Sequence, residues 1–285
     1  VLILPGSSLT LSLTSNPECS GDGDCPGPFG GFPVYIYGLP EKVGDTELTN
    51  FLDNSATESG GAVGILKGNY AAVLLGVDVI GNKAEGSGGG IYLETVNFYA
   101  TFINAHFARN KAKLLGGGLA IEVSHTEVQL VNCSFLSNEA SSGGGLGIST
   151  LNIPPPLPPI PQSFLPLPLF NLFLVGGVGI NISQSSFVAN QAVEGGAVYS
   201  LSTNNLVIQD SDMTSNVASS KGGGCFLGSS SAVLIEALLL SSNSANVGGA
   251  VHAETNSQLF ILSCNITGNV ATTSGGGMFL DSLAQ

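Results

Sequence analysis

The sequence predicts an all-β fold, a parallel β-helix (solenoid) of about eight coils with roughly 27 residues each. Three observations carry this. First, an Asn with an Ala two residues on returns at Asn54, Asn82, Asn110, Asn138, Asn190, Asn216, Asn243 and Asn269, at spacings of 28, 28, 28, 52, 26, 27 and 26. Second, each signature is followed by Gly-Gly-Gly or Gly-Gly-Ala and then an apolar residue, from Gly60-Gly-Ala62 to Gly275-Gly-Gly277. Third, the apolar residues within a repeat recur every second position, the strand period, and no segment carries a helical stripe.

Residues 1–48 are expected to form a β-rich cap or a preceding coil, with a turn-rich loop between Cys19 and Cys25. Those two cysteines can close a small disulfide ring in an oxidising compartment. Residues 49–285 read as the β-helix itself. Each unit opens, after its glycines, on an alternating run such as Ile91-Tyr-Leu93, Leu119-Ala-Ile121 or Val251-His-Ala253. A second β-rich run follows, as in Val128-Gln-Leu130 and Leu259-Phe-Ile261. Three residues before each Asn stands an apolar anchor: Phe51, Val79, Phe107, Phe135, Phe187, Met213, Leu240 and Ile266.

The Asn is expected at a turn, because it tolerates the left-handed conformation, with its side chains hydrogen-bonding along the stack as a ladder. The glycines permit a corner too tight for a Cβ. At about 4.8 Å per coil, eight coils make a rod roughly 35–40 Å long. The single long interval holds a Pro-rich insertion at about 151–175, containing Asn152-Ile-Pro-Pro-Pro-Leu-Pro-Pro-Ile-Pro. Proline cannot donate to a sheet, so this segment is expected to leave the stack as an extended or polyproline II excursion.

Composition excludes several classes. Apolar residues at 43% with only 9% charged argue against disorder, and 40 glycines without a Gly-X-Y period are not collagen. A formal net charge of −13, from 20 acidic and 7 basic residues, excludes nucleic acid as partner, since such binding needs Lys and Arg to displace counterions. The most apolar run, 164–182, is interrupted by Pro166, Pro168 and glycines, so it is not expected to span a membrane. The chain opens Val-Leu-Ile-Leu-Pro with neither Met nor a basic leader, so a fragment of a longer protein is expected.

The paired Phe-x-x-Asn and Gly-Gly-x-apolar motifs resemble the repeat of the polymorphic outer membrane proteins. They are carried by Phe107 with Asn110 and Gly116-Gly-Gly-Leu119, by Phe135 with Asn138 and Gly143-Gly-Gly-Leu146, and by Phe187 with Asn190 and Gly195-Gly-Ala-Val198. The resemblance spans about residues 49 to 280 and implies a right-handed parallel β-helix displayed at the cell surface, often as an adhesin. This chain departs from that family in its Pro-rich insertion and in carrying no C-terminal β-barrel sequence.

If the first and third residues after each triplet point inward, the second and fourth point outward. The second position then presents Tyr199, Phe226, His252 and Phe279 in four consecutive coils, a column of rings suited to stacking on sugars or on a partner's apolar side chains. The competing reading is that these rings pair with one another along the sheet. The fourth position holds Glu94 and Glu122, then Glu254 and Asp281, whose mutual repulsion calls for a cation, a proton or water. His252 with Glu254 and Asp281 is the best candidate cluster for metal binding or acid–base work, and no basic residue is expected beside it.

Asp22 and Asp24, between the two N-terminal cysteines, form a second possible Ca²⁺ loop that lacks the twelfth-position acid of an EF-hand. Cys133 and Cys264 share a column four coils apart and are expected to be small buried thiols. Asn132-Cys-Ser, Asn181-Ile-Ser and Asn265-Ile-Thr are N-glycosylation sequons in a eukaryotic source, the first and third in outward columns.

The expectation is a non-enzymatic extracellular or cell-surface β-helix acting as adhesin or display rod. No catalytic residue or cofactor is expected, with Ca²⁺ the one metal considered. The expected partner is a host or neighbouring cell-surface protein or glycan, with membrane association only through parts outside this chain. The alternative is a carbohydrate-active β-helix enzyme of the polysaccharide lyase or glycoside hydrolase type.

Overall fold

Among the described residues each repeating coil lays down one short strand on each of three sheets, turns at an Asn that is buried from Asn82 to Asn243, and swings through its glycines into the next coil. The computed structural model describes residues 9–11, 34–37, 49–65, 71–94, 99–122, 127–149, 179–201, 205–228, 232–255 and 257–281. Among them all regular structure is β-strand, and every strand pairing is parallel, so the chain is a parallel β-solenoid.

The coil from Ile91 shows the plan. Ile91–Glu94 lies on sheet 1, Tyr99–Ile103 on sheet 2, His106–Ala108 on sheet 3, and Lys111–Ala112 on a short fourth side. Repetition builds a nine-stranded sheet 1 and eight-stranded sheets 2 and 3, while the fourth side divides into groups of three and four strands. Leu9–Leu11 pairs with Val63–Ile65, and Val34–Tyr37 with Ala71–Leu75, so two strands from the first 48 residues continue the stack. Cys19, Asp22, Asp24 and Cys25 lie outside the described residues.

The stack holds its register across the insertion. Glu127–Val131 pairs directly with Gly179–Ser183, and Leu146–Ser149 with Val198–Leu201. Residues 150–178 join sheet 1 to sheet 2, a connection that residues 123–126 make in the preceding coil. The insertion therefore falls, in chain order, between a strand of sheet 1 and a strand of sheet 2, and its own placement lies outside the described residues.

Inside the coils the side chains meet as like on like, because the parallel register sets each position above its equivalent. Phe107, Phe135 and Phe187 are fully buried and stack face to face at 4.7 and 4.6 Å, with planes within 5°. Ile65, Leu93 and Ile121 continue the same principle from sheet 1. Cys133 sits in this core, its thiol pushed up to about 11 by burial, and Cys225 likewise, up to about 12. Cys264 is only half-buried, which corrects the expectation of a buried thiol; it belongs to the last described coil, whose core positions are covered on one side.

The Asn ladder has defined bonding. Asn110 Nδ2 donates to Asn138 Oδ1 at 3.0 Å and to the Val79 carbonyl at 2.7 Å, while its backbone N–H also reaches Asn138 Oδ1, at 3.0 Å. Its own Oδ1 accepts two equivalent bonds from Asn82. Both amide protons and both lone-pair sites are thus used, so the amide can be buried without an unpaired group. The same pattern runs from Asn54 to Asn269.

The left-handed residue at this corner is not the Asn. It is the residue before it: Asp53, Gly81, Arg109, Ser137, Ala189, Ser215, Ser242 or Gly268, all with φ between 53° and 70°. The inward-turned, fully bonded Asn holds the corner so firmly that even Ala189 and Arg109 are kept at positive φ. This corrects the expectation that Asn was selected for its backbone tolerance.

Candidate functional site

The first glycine of each triplet turns the chain so sharply that the fourth side folds against the outer face of sheet 1. Gly248 has φ of 66°, and a Cβ there would stand 2.9 Å from the Cβ of His252, four residues on. The second residue after each triplet consequently points away from the core and still lies in a concave corner. Tyr92, Ala120, Phe226 and His252 are all buried there, and Tyr92 and Ala120 pack with Leu115, the residue just before a glycine triplet, in a second cluster separate from the main core.

In the later coils this corner holds the ring column. Tyr199 and Phe226 stack at 5.0 Å, Phe226 and His252 at 5.5 Å, and His252 and Phe279 at 5.5 Å, with planes within 8°. Phe226 is 2% exposed and His252 1%. The free faces expected for sugar stacking are therefore occupied by neighbouring rings, and only Tyr199 and Phe279, the two ends of the stack, are half-exposed. Rings repeating at coil spacing satisfy one another before any ligand arrives.

Acidic groups flank the column. Glu254 follows Val251–Ala253, and Asp281 stands equivalent to it one coil on, after Met278–Leu280. Lys221 closes the group: its Nζ is 3.0 Å from Glu254 Oε1 and 5.7 Å from the Phe226 ring centre. This overturns the expectation that no basic residue lies near. Lys221 ends the fourth-side strand Val217–Lys221, opposite Glu194 and Val247, and the sharp corner brings it over sheet 1. Its position directly before Gly222 was the available signal, since residues before the triplets line this corner.

The electrostatics follow. Burial opposes the Lys221 charge, but its hydrogen bond to Glu254 and the charges of Glu254, Glu194 and Asp281 outweigh that and raise its pKa. Burial, helped by Lys221, pushes His252 below its ordinary 6.5 despite the nearby acids, so its imidazole is neutral at pH 7. His252 Nε2 is 3.7 Å from Asp281 Oδ2, beyond hydrogen-bond reach, and neither ring nitrogen has a hydrogen-bond partner. Ligand atoms of His252, Glu254 and Asp281 all lie within 4.8 Å of one another.

The earlier acidic pair is resolved differently. Glu122 accepts from Tyr92 Oη at 2.9 Å and from Ser87 Oγ at 2.8 Å, so neutral donors relieve its charge beside Glu94. Burial and these carboxylates together raise the Tyr92 phenol.

Of the sequons, Asn132 and Asn265 are exposed and Asn181 is half-buried. Asn132 has φ of 52° and donates from Nδ2 to Asn104 Oδ1 at 2.7 Å. Among the described residues no helix is long and apolar enough to cross a membrane. Comparison with protein-family models, with curated proteins and with solved structures finds no match to this chain.

Proposed function

We propose that the chain is part of a non-enzymatic extracellular or cell-surface rod that acts as an adhesin or display scaffold, as its likeness to polymorphic-outer-membrane-protein repeats suggests. One observation carries this reading: the coil stack keeps its register and its Asn ladder across residues 149–179, with Asn138 bonded to Asn190 at 3.0 Å. A fold built from locally repeated contacts tolerates insertions at its corners while its outline stays fixed, which suits presentation of surface to a partner. The partner proposed is a protein or glycan of a host or neighbouring cell. No cofactor is invoked, and Ca²⁺ at Asp22 and Asp24 is the metal this reading allows.

The test is attachment of the purified chain to cells and to an immobilised glycan panel. Saturable attachment, weakened by Tyr199→Ala or Phe279→Ala with the thermal midpoint preserved, supports the reading. Absence of attachment in every format defeats it.

A second reading, a carbohydrate-active β-helix enzyme, is favoured by the convergence of His252, Glu254, Asp281 and Lys221 on one corner. New reducing ends or unsaturated products from acidic or neutral polysaccharides, abolished by His252→Ala or Glu254→Gln, would establish it in place of the first.

A further inference from the structure

We infer that His252, Glu254 and Asp281 form a binding site for a divalent transition metal of the zinc type. This goes beyond the display function and stands or falls independently of it.

The starting observation is a debt in hydrogen bonding. The His252 ring is 1% exposed, and neither Nδ1 nor Nε2 has a partner. Buried polar atoms are nearly always paired, and leaving one unpaired forfeits its hydration with nothing in return, so a group left in this state calls for a ligand. Two carboxylates are placed where such a ligand would sit. Nε2 faces Asp281 Oδ2 at 3.7 Å, too long for a hydrogen bond. Two ligand atoms about 2.1 Å from a tetrahedral zinc stand roughly 3.4 Å apart, so the observed gap closes onto a metal with a small side-chain movement.

The donor set selects the metal. Ca²⁺ takes six to eight oxygens, whereas one neutral imidazole with two carboxylates suits Zn²⁺ and its first-row neighbours. The ring is also held ready, between Phe226 and Phe279 at 5.5 Å on each side with planes within 8°. Lys221 is the built-in competitor, since its ammonium already lies 3.0 Å from Glu254.

Chelator-treated protein is titrated with Zn²⁺, and separately with Ca²⁺, by calorimetry, with Co²⁺ absorption as a spectroscopic report on coordination. His252→Phe keeps a ring in the stack and removes the donor, while Asp281→Asn leaves the stack untouched. One Zn²⁺ per chain is expected, preferred over Ca²⁺, with Co²⁺ bands that both variants abolish and affinity at least about tenfold weaker in Asp281→Asn. Lys221→Gln is expected to tighten binding by removing the competing cation. No Zn²⁺ binding by the native chain, binding unchanged in Asp281→Asn, or a preference for Ca²⁺ would each overturn the inference. If His252→Phe fails to fold, the Asp281→Asn titration decides alone.

Discussion

Asn138 donates from Nδ2 to Asn190 Oδ1 at 3.0 Å although 52 residues separate the two, and the same atom pair recurs between Asn110 and Asn138 at 28 residues. The ladder responds to position in the stack and is indifferent to the length of chain between rungs. Removing one rung takes partners from both sides: in Asn110→Ala the Asn82 backbone N–H and one Asn82 Nδ2 proton lose their acceptor, the Val79 carbonyl loses its Nδ2 donor, and Asn138 Oδ1 keeps only the bond from the backbone N–H of residue 110. The expected loss is about 1–3 kcal/mol of unfolding free energy. Chemical denaturation of Asn110→Ala and Asn216→Ala checks this, and an unchanged midpoint would mean the rungs carry no net stability.

Gly144 tests the corner. A Cβ there would lie 2.5 Å from the Gln191 carbonyl oxygen and 2.6 Å from that of Gly196, both backbone atoms of the next coil. Gly144→Ala must therefore push two coils apart, and a loss of more than about 3 kcal/mol is expected, read as a lowered thermal midpoint or failure to fold. A native-like midpoint would show that the coils slide freely.

Replacing residues 150–178 with a four-residue connection like 123–126 should leave the solenoid folded. Loop-closure entropy alone favours the shorter chain by about 1–2 kcal/mol. Circular dichroism and denaturation of the shortened protein give the comparison. A large loss of stability would mean that the insertion covers apolar surface of the rod.

Glu85 lies 2.8 Å from Lys83 Nζ and 3.0 Å from Lys113 Nζ, and these hydrogen bonds, Lys83 first, lower its carboxyl to about 2. A lowered acid stabilises the fold above its ordinary 4.5, and that contribution disappears as pH falls through about 2. A carboxyl titration followed by NMR should show Glu85 rising toward 4.5 in a Lys83→Ala, Lys113→Ala double variant. No movement would remove both lysines as the cause.

Burial predicts the behaviour of the thiols. Cys225, pushed up to about 12, and Cys133, up to about 11, carry almost no thiolate at pH 8, and both lie inside the coil. Iodoacetamide should label neither until the chain is denatured, with peptide mapping as the readout. Labelling in the native state would indicate local opening of the sheets.

The repeat made most of the fold legible before any coordinates. In a parallel stack each residue's nearest neighbour is its own equivalent one coil away, so a column read from sequence is a column in space. The Asn ladder, the Phe107–Phe135–Phe187 stack and the glycine corners were all visible on that ground. Alternation within a strand also placed Phe226 and His252 on the outer side of sheet 1. What it could not supply was the angle at which the fourth side meets that sheet. That angle decides that Phe226 and His252 are buried, that Lys221 reaches Glu254 across 33 residues, and that His252 is left with two unpaired nitrogens. Periodicity determines which residues stack, because stacking is set by translation along the rod; only the tertiary structure determines which columns meet sideways, because that depends on the backbone rotation at each glycine.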